Sequence, residues 1–82
     1  MGDIEYDYDK IGEVVLALMC LTLHDEQYGM ARAWKGYDWG VLDRLYEKGW
    51  IDDPKNKAKS VLLTPEGLAK SRELFEKYFR KG

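Results

Sequence analysis

From residue 9 onward, apolar side chains recur at helical spacing. Ile11, Val14, Val15, Leu18, Leu21 and Thr22 mark one face. Leu16, Met19, Cys20 and Leu23 place apolar groups on the other faces too, and a helix that is apolar nearly all round is buried nearly all round. Asp9 is the expected start, because its carboxylate caps free amides and suits the positive end of the helix dipole. The pattern fades near His24 and Asp25. Before this helix, Ile4, Tyr6 and Tyr8 alternate with acidic residues, so residues 1–8 read as an acidic arm, either a short edge strand or a docked extended segment.

A second helix is predicted from the cap Asp38. Trp39, Leu42, Leu45 and Tyr46 line one face, and Asp43, Arg44, Glu47 and Lys48 the other. Gly49 ends it by accepting a left-handed backbone. Trp50 and Ile51 then read as a short strand, Asp52-Asp53-Pro54-Lys55-Asn56 as a turn, and Ser60–Leu63 as the returning strand. Thr64 caps the last helix, with Pro65 at its first position and Glu66 favouring the dipole. Leu68, Ser71, Phe75 and Tyr78 form its inner face, with Leu74 and Phe79 beside them. Gly29 and Gly36 interrupt residues 25–37, where Met30–Trp34 fits a short helix or a strand equally. The expected architecture is one mostly helical α+β domain over residues 1–82: helix, irregular segment, helix, β-hairpin, helix.

The run Leu42-Asp43-Arg44-Leu45-Tyr46-Glu47-Lys48-Gly49-Trp50-Ile51, followed by Val61-Leu62-Leu63-Thr64-Pro65-Glu66-Gly67, carries a resemblance. It is similar to the C-terminal part of MarR-like and PadR-like winged-helix regulators, where a helix ending in "KGxI" leads into the wing and an "LTxxG" step opens the next helix. The resemblance implies a winged-helix-like fold with the hairpin as wing. The whole chain also resembles a small bacterial domain-of-unknown-function family, which implies no activity. The sequence departs from the regulators in one respect. A full helix-turn-helix needs two helices before the wing, and only the glycine-broken residues 25–37 are available for the first.

Chain length alters how the first helix is read. A domain of 82 residues buries only about 60–65% of its unfolded surface, so the apolar first helix exceeds what one chain covers. It is either the central helix of the fold or the interface of a homodimer. Cys20 is the single cysteine, which excludes an intrachain disulfide and suits a reducing, cytoplasmic setting. The apolar run Val14–Leu21 is far short of the ~20 residues that span a bilayer, and the acidic start is unlike a signal peptide.

Charge then separates the halves. Residues 1–30 hold seven acidic side chains against Lys10, whereas residues 31–82 hold twelve basic against eight acidic. Any anion-binding surface is expected in the second part. Lys55, Lys57 and Lys59 around the turn are the first candidates for contacts with double-stranded DNA, since lysines at a loop tip neutralise phosphates and release counterions. Arg44 and Lys48 on the preceding helix are the second, although Asp38, Asp43 and Glu47 beside them repel phosphate. Arg32, Trp34, Lys35, Tyr37 and Trp39 interleave basic and aromatic residues, a pattern that stacks on bases or binds a partner, while the tryptophans fit better as core plugs of a short, glycine-broken segment.

No catalytic constellation, cofactor loop or metal-ligand spacing is legible, so an enzyme is not expected. Cys20 and His24 lie four apart but lack a third ligand or an oxyanion donor. Two functions follow: a DNA-binding, transcription-regulatory domain with a basic wing, or a protein-interaction adaptor that keeps the scaffold and has lost DNA reading.

Overall fold

The computed structural model describes residues 4–82, and about half of them are helical. They form three α-helices and one three-stranded antiparallel sheet. Helix α1, Tyr8–Met19, is extended by a 3-10 turn at Cys20–Thr22. Its cap is Asp7, whose carboxylate accepts the Lys10 amide at 3.0 Å. Asp9, expected as the cap, lies inside the first turn and is free to face neighbouring cations. The arm at residues 4–7 forms no strand, and Ile4 and Tyr6 are exposed. The rest of the expected arm, residues 1–3, lies outside the described residues.

The segment left open between helix and strand is a β-hairpin. Strand β1, His24–Gln27, pairs antiparallel with β2, Met30–Trp34, across a two-residue turn. Tyr28 and Gly29 both have positive φ, 55° and 76°, as the twist of a tight hairpin requires. In β2, Ala31 and Ala33 point into the core while Met30, Arg32 and Trp34 face outward. The polar, exposed β1 is the sheet's edge, and its register is irregular where Asp25 adopts φ 51°. Early termination of α1 separates Cys20, in the 3-10 turn, from His24, in a strand. They share no helix face.

Helix α2, Trp39–Glu47, begins at the expected cap, where Asp38 accepts the Val41 amide at 3.2 Å. Its buried face is Val41, Leu42 and Leu45; Trp39 and Tyr46, expected on that face, stand out from it, 55% and 46% exposed. The helix closes on Gly49, φ 77°, with the Trp50 amide donating to Leu45 O at 3.1 Å and the Gly49 amide to Tyr46 O at 2.9 Å. These two bonds form a Schellman closure, which satisfies the last carbonyls and reverses the chain.

Strand β3, Ser60–Leu63, takes β2 as its main partner, from Ala31 opposite Leu63 to Trp34 opposite Ser60. The expected strand at Trp50–Ile51 reduces to one bridge, Ile51 to Leu63. β2 pairs along one edge of β3, and the segment after α2 lies along the other, where the Asp52 amide donates to Leu62 O at 2.8 Å and the Thr64 amide to Trp50 O at 3.1 Å. Residues 52–59 are therefore a loop hung between the bridge and β3.

Helix α3, Pro65–Phe79, starts as expected, with Thr64 Oγ1 accepting the Gly67 amide at 3.0 Å. Leu68, Ser71 and Leu74 are buried, Phe75 and Tyr78 partly so, and Phe79 is exposed. The Ser71 hydroxyl donates to Leu16 O at 2.7 Å inside the α1–α3 contact, so this buried polar atom is satisfied. The core joins Leu16 and Met19 of α1, Leu42 and Leu45 of α2, Ile51, Val61 and Leu63, and Leu68 and Leu74 of α3. Within one chain, α1 is not covered all round: Gly12, Leu16, Ala17 and Met19 are buried, but Ile11 and Leu21 are exposed. Among the described residues, no helix is long and apolar enough to cross a membrane.

Tyr28 holds a left-handed backbone while its side chain is 91% exposed. Such a conformation costs a branched or bulky L-residue about 1–2 kcal/mol, whereas asparagine before glycine tolerates it. Tyr28→Asn is expected to raise stability by about 0.5–1 kcal/mol, and Tm by several degrees, in thermal unfolding. A lower Tm would mean that the exposed ring contributes packing.

Candidate nucleic-acid interface

Residues 52–59 carry more local hydrogen bonding than a loop needs merely to connect two elements. The Asp52 carboxylate accepts the Asp53 amide, and Asp53 in turn accepts the Lys55 amide, both at 2.9 Å. Asn56 Oδ1 accepts the Ala58 amide at 2.8 Å, and its Nδ2 donates to Asp53 O at 3.1 Å. Side chains that bond to backbone two residues on hold the loop in successive turns. Pro54 is buried beneath it.

Lys35 clamps this loop from outside. Its ammonium donates to Pro54 O at 2.7 Å, Asn56 O at 3.1 Å and Asn56 Oδ1 at 2.9 Å. All three acceptors are neutral, so the ion's hydrogen bonds are satisfied while its charge meets no carboxylate. The same ammonium lies 5.9 Å from the centre of the Trp39 ring, within cation–π range. The Lys35 amide also bonds Lys59 O at 3.2 Å, tying the loop's far end to the end of β2.

These contacts bring two of the sequence candidates together. Lys55, Lys57 and Lys59 are exposed and form no ion pair among those found in the described residues. Trp34, which is half exposed, pairs with Ser60 next to Lys59, and a shallow pocket of about 520 Å³ opens between Trp39, Lys55 and Asn56. Arg32 serves β3 instead: its guanidinium donates to Ser60 Oγ at 2.7 Å and to Ser60 O at 3.0 Å. Tyr37 packs against the core, and burial raises its phenol above the ordinary pKa.

Arg44 and Lys48 are placed elsewhere. Arg44 of α2 and Lys48, the residue that caps its C-terminus, lie on the edge that faces α1, where Asp9 receives both, Arg44 at 3.7 Å and Lys48 at 3.4 Å. Arg44 also covers the Tyr8 ring at 5.2 Å, and Lys48 the Trp50 ring at 5.1 Å. Trp39 projects from the opposite edge of the helix, since residues 39 and 44 are five helical steps apart, about 140° round the axis. The structure thus splits the basic candidates between an unpaired loop and an ion-paired helix edge. Between them, the outward side of α2 carries Asp43 and Glu47.

Trp39 was legible as part of the basic–aromatic run, but helical periodicity assigned it to the core. It occupies the first position of α2, next to the cap, where a side chain leans past the helix start rather than onto a preceding turn. Asn56 gave no signal beyond its turn propensity. Among the described residues, no three His, Cys, Asp or Glu side chains are grouped to hold a metal ion.

The chain belongs to the family described as a domain of unknown function (DUF6429), whose pattern matches residues 7–81. It is similar to the uncharacterized protein y4hR of Sinorhizobium fredii (strain NBRC 101917 / NGR234). The two are 54% identical over 78 residues, which cover 95% of this chain and all of that protein. No solved structure matches the chain.

Proposed function

We propose that this domain binds nucleic acid as a cytoplasmic, non-enzymatic regulatory module, gripping phosphates with the loop at residues 52–59. The observation that carries this reading is the set of unpaired lysines on a loop held in shape by Lys35. Ordering the loop in advance lowers the conformational cost of placing Lys55, Lys57 and Lys59 on a phosphate backbone. The layout also supports a winged-helix variant: β3 returns from the loop to pair with the strand that precedes α2, and Ile51 bridges to it. The acidic outer side of α2 favours backbone gripping over base reading, so the expected affinity is largely independent of sequence.

Fluorescence anisotropy of a labelled mixed-sequence duplex at about 50 and 200 mM salt tests the proposal, because a phosphate-dominated complex weakens steeply over that range. Binding should be lost when Lys55, Lys57 and Lys59 all become Glu, and largely kept when Arg44 and Lys48 become Gln. A complex insensitive to both salt and the triple change would contradict it.

A second reading concerns α1, whose uncovered side favours self-association. Between Lys10 and His24 the single charged residue is Glu13, and it is turned to α3, where it accepts the Tyr78 hydroxyl at 3.1 Å. Ile11, Val14, Val15 and Leu18 are left as an uncharged stripe, and the groove of about 390 Å³ beside it is lined by Tyr6, Ile11, Val14 and Val15 with Asp7 and Lys10, one charge of each sign. Depletion of charge marks the core of an interface, and a stripe without charge meets its own copy without repulsion. Light scattering at micromolar concentration should give a dimer mass, and Val14→Asp a monomer; a monomeric unaltered chain would rule this reading out.

A further inference from the structure

We propose that the pocket between Trp39 and the loop at residues 52–59 takes an unpaired nucleotide, its base stacked on the indole and its phosphate on Lys55. The domain's preferred ligand is then single-stranded nucleic acid, an inference that rests on the nucleic-acid reading above and narrows it.

Three observations lead to the pocket. First, Trp39 is a core-type residue, yet it is 55% exposed beside a basic loop. Such a surface is apolar and flat, and the faces of unpaired bases match it, whereas in a duplex those faces are hidden in the stack. Second, the pocket wall is preorganised. Lys35 fixes Asn56 through both its backbone oxygen and its Oδ1, and Asn56 Nδ2 is held by Asp53 O, so the wall opposite the indole is a hydrogen-bonded turn. Third, Lys55 stands at the mouth. Lys35 has only neutral acceptors, and Lys55 has no ion pair. The nearby acids, Asp38, Asp52 and Asp53, each have an oxygen engaged by a backbone amide as a cap or turn. Asp43, one helical turn beyond Trp39, is a fourth acid, so the phosphate contact is supplied by the position of Lys55 at the mouth and not by an excess of charge.

Duplex binding is disfavoured by the same surface. The element beside the loop that would enter a groove is α2, and its outer side presents Asp43 and Glu47 to the phosphates. A single strand that crosses the loop and pocket meets that side only at Asp43, one helical turn beyond Trp39.

The test compares a short mixed-sequence DNA strand, RNA of the same sequence and the corresponding DNA duplex, by anisotropy and by quenching of tryptophan fluorescence. Stacking on one aromatic ring corresponds to about tenfold in affinity. Either single strand should bind about tenfold more tightly than the duplex, with quenching. Trp39→Ala should remove that advantage, Trp39→Phe should retain part of it, and Tyr28→Ala on the distant hairpin should leave it intact. Circular dichroism establishes that each variant is folded. The DNA and RNA arms tell the source of the strand. Equal binding of strand and duplex, unchanged by Trp39→Ala, would overturn the pocket and leave the lysine reading standing. Absence of binding to all three probes at low salt would overturn both.

Discussion

The carbonyl group of Trp50 sits where three elements meet, and the arrangement of the fold follows from what surrounds it. It accepts the Thr64 amide at 3.1 Å, while the Thr64 hydroxyl donates to Gly49 O at 2.6 Å. The backbone of Gly67 passes so near that a Cβ there would lie 1.7 Å from Trp50 O. One residue on, Ile51 bridges Leu63. The closure of α2, the end of β3 and the first turn of α3 are thus one connected unit. Gly49 supplies the reversal, the Thr64 hydroxyl accepts the Gly67 amide on one side and donates to Gly49 O on the other, and the missing side chain of Gly67 permits the approach. The loop at residues 52–59 leaves this junction and returns to it, and Lys35 of the chain following β2 holds its middle.

The same economy governs the charges. The acidic start of the chain acts as an internal partner, since Asp9 at the start of α1 receives Arg44 and Lys48. Exposed pairs of this kind contribute little to stability, but they remove two cations from the surface available to an anion. Cationic character is left to the loop, whose own acids are occupied as turn caps. Among the described residues, Lys10, Lys77 and Lys81 also stand outside the ion pairs, but the loop groups three such lysines within five residues.

Much of this fold was legible in the sequence, for reasons tied to particular residues. The caps Asp38 and Thr64, the reversal at Gly49 and the span of the last helix follow from chemistry that acts over three or four residues. The misreadings arose where tertiary contacts decided the outcome. Alternation in Met-Ala-Arg-Ala-Trp is real, but alanine is the strongest helix former and hides it. Proximity in sequence finds one neighbour of β3, the Trp50–Ile51 segment that bridges Leu63, but gives no sign of β2, which pairs along the opposite edge. Two acidic residues competed to cap α1, and local rules do not separate Asp7 from Asp9. At the candidate site the lysines were evident, whereas the role of Lys35 as a clamp was not, because its three acceptors lie 19 to 21 residues away.

The central claim is that backbone contact at Trp50 and Gly67 holds the three elements together, and thermal unfolding of Gly67→Ala tests it most directly. Forcing a methyl group against a carbonyl in a packed site costs on the order of 1–3 kcal/mol or more, and in a domain of this size each kcal/mol moves Tm by about 4–8 °C. Gly40→Ala, in the first turn of α2, is the comparison, since its Cβ meets only the Asp38 carboxylate at 3.1 Å. The account predicts a fall in Tm of about 10 °C or more, or loss of cooperative folding, for Gly67→Ala and little change for Gly40→Ala. Equal melting of Gly67→Ala and the unaltered chain would contradict it.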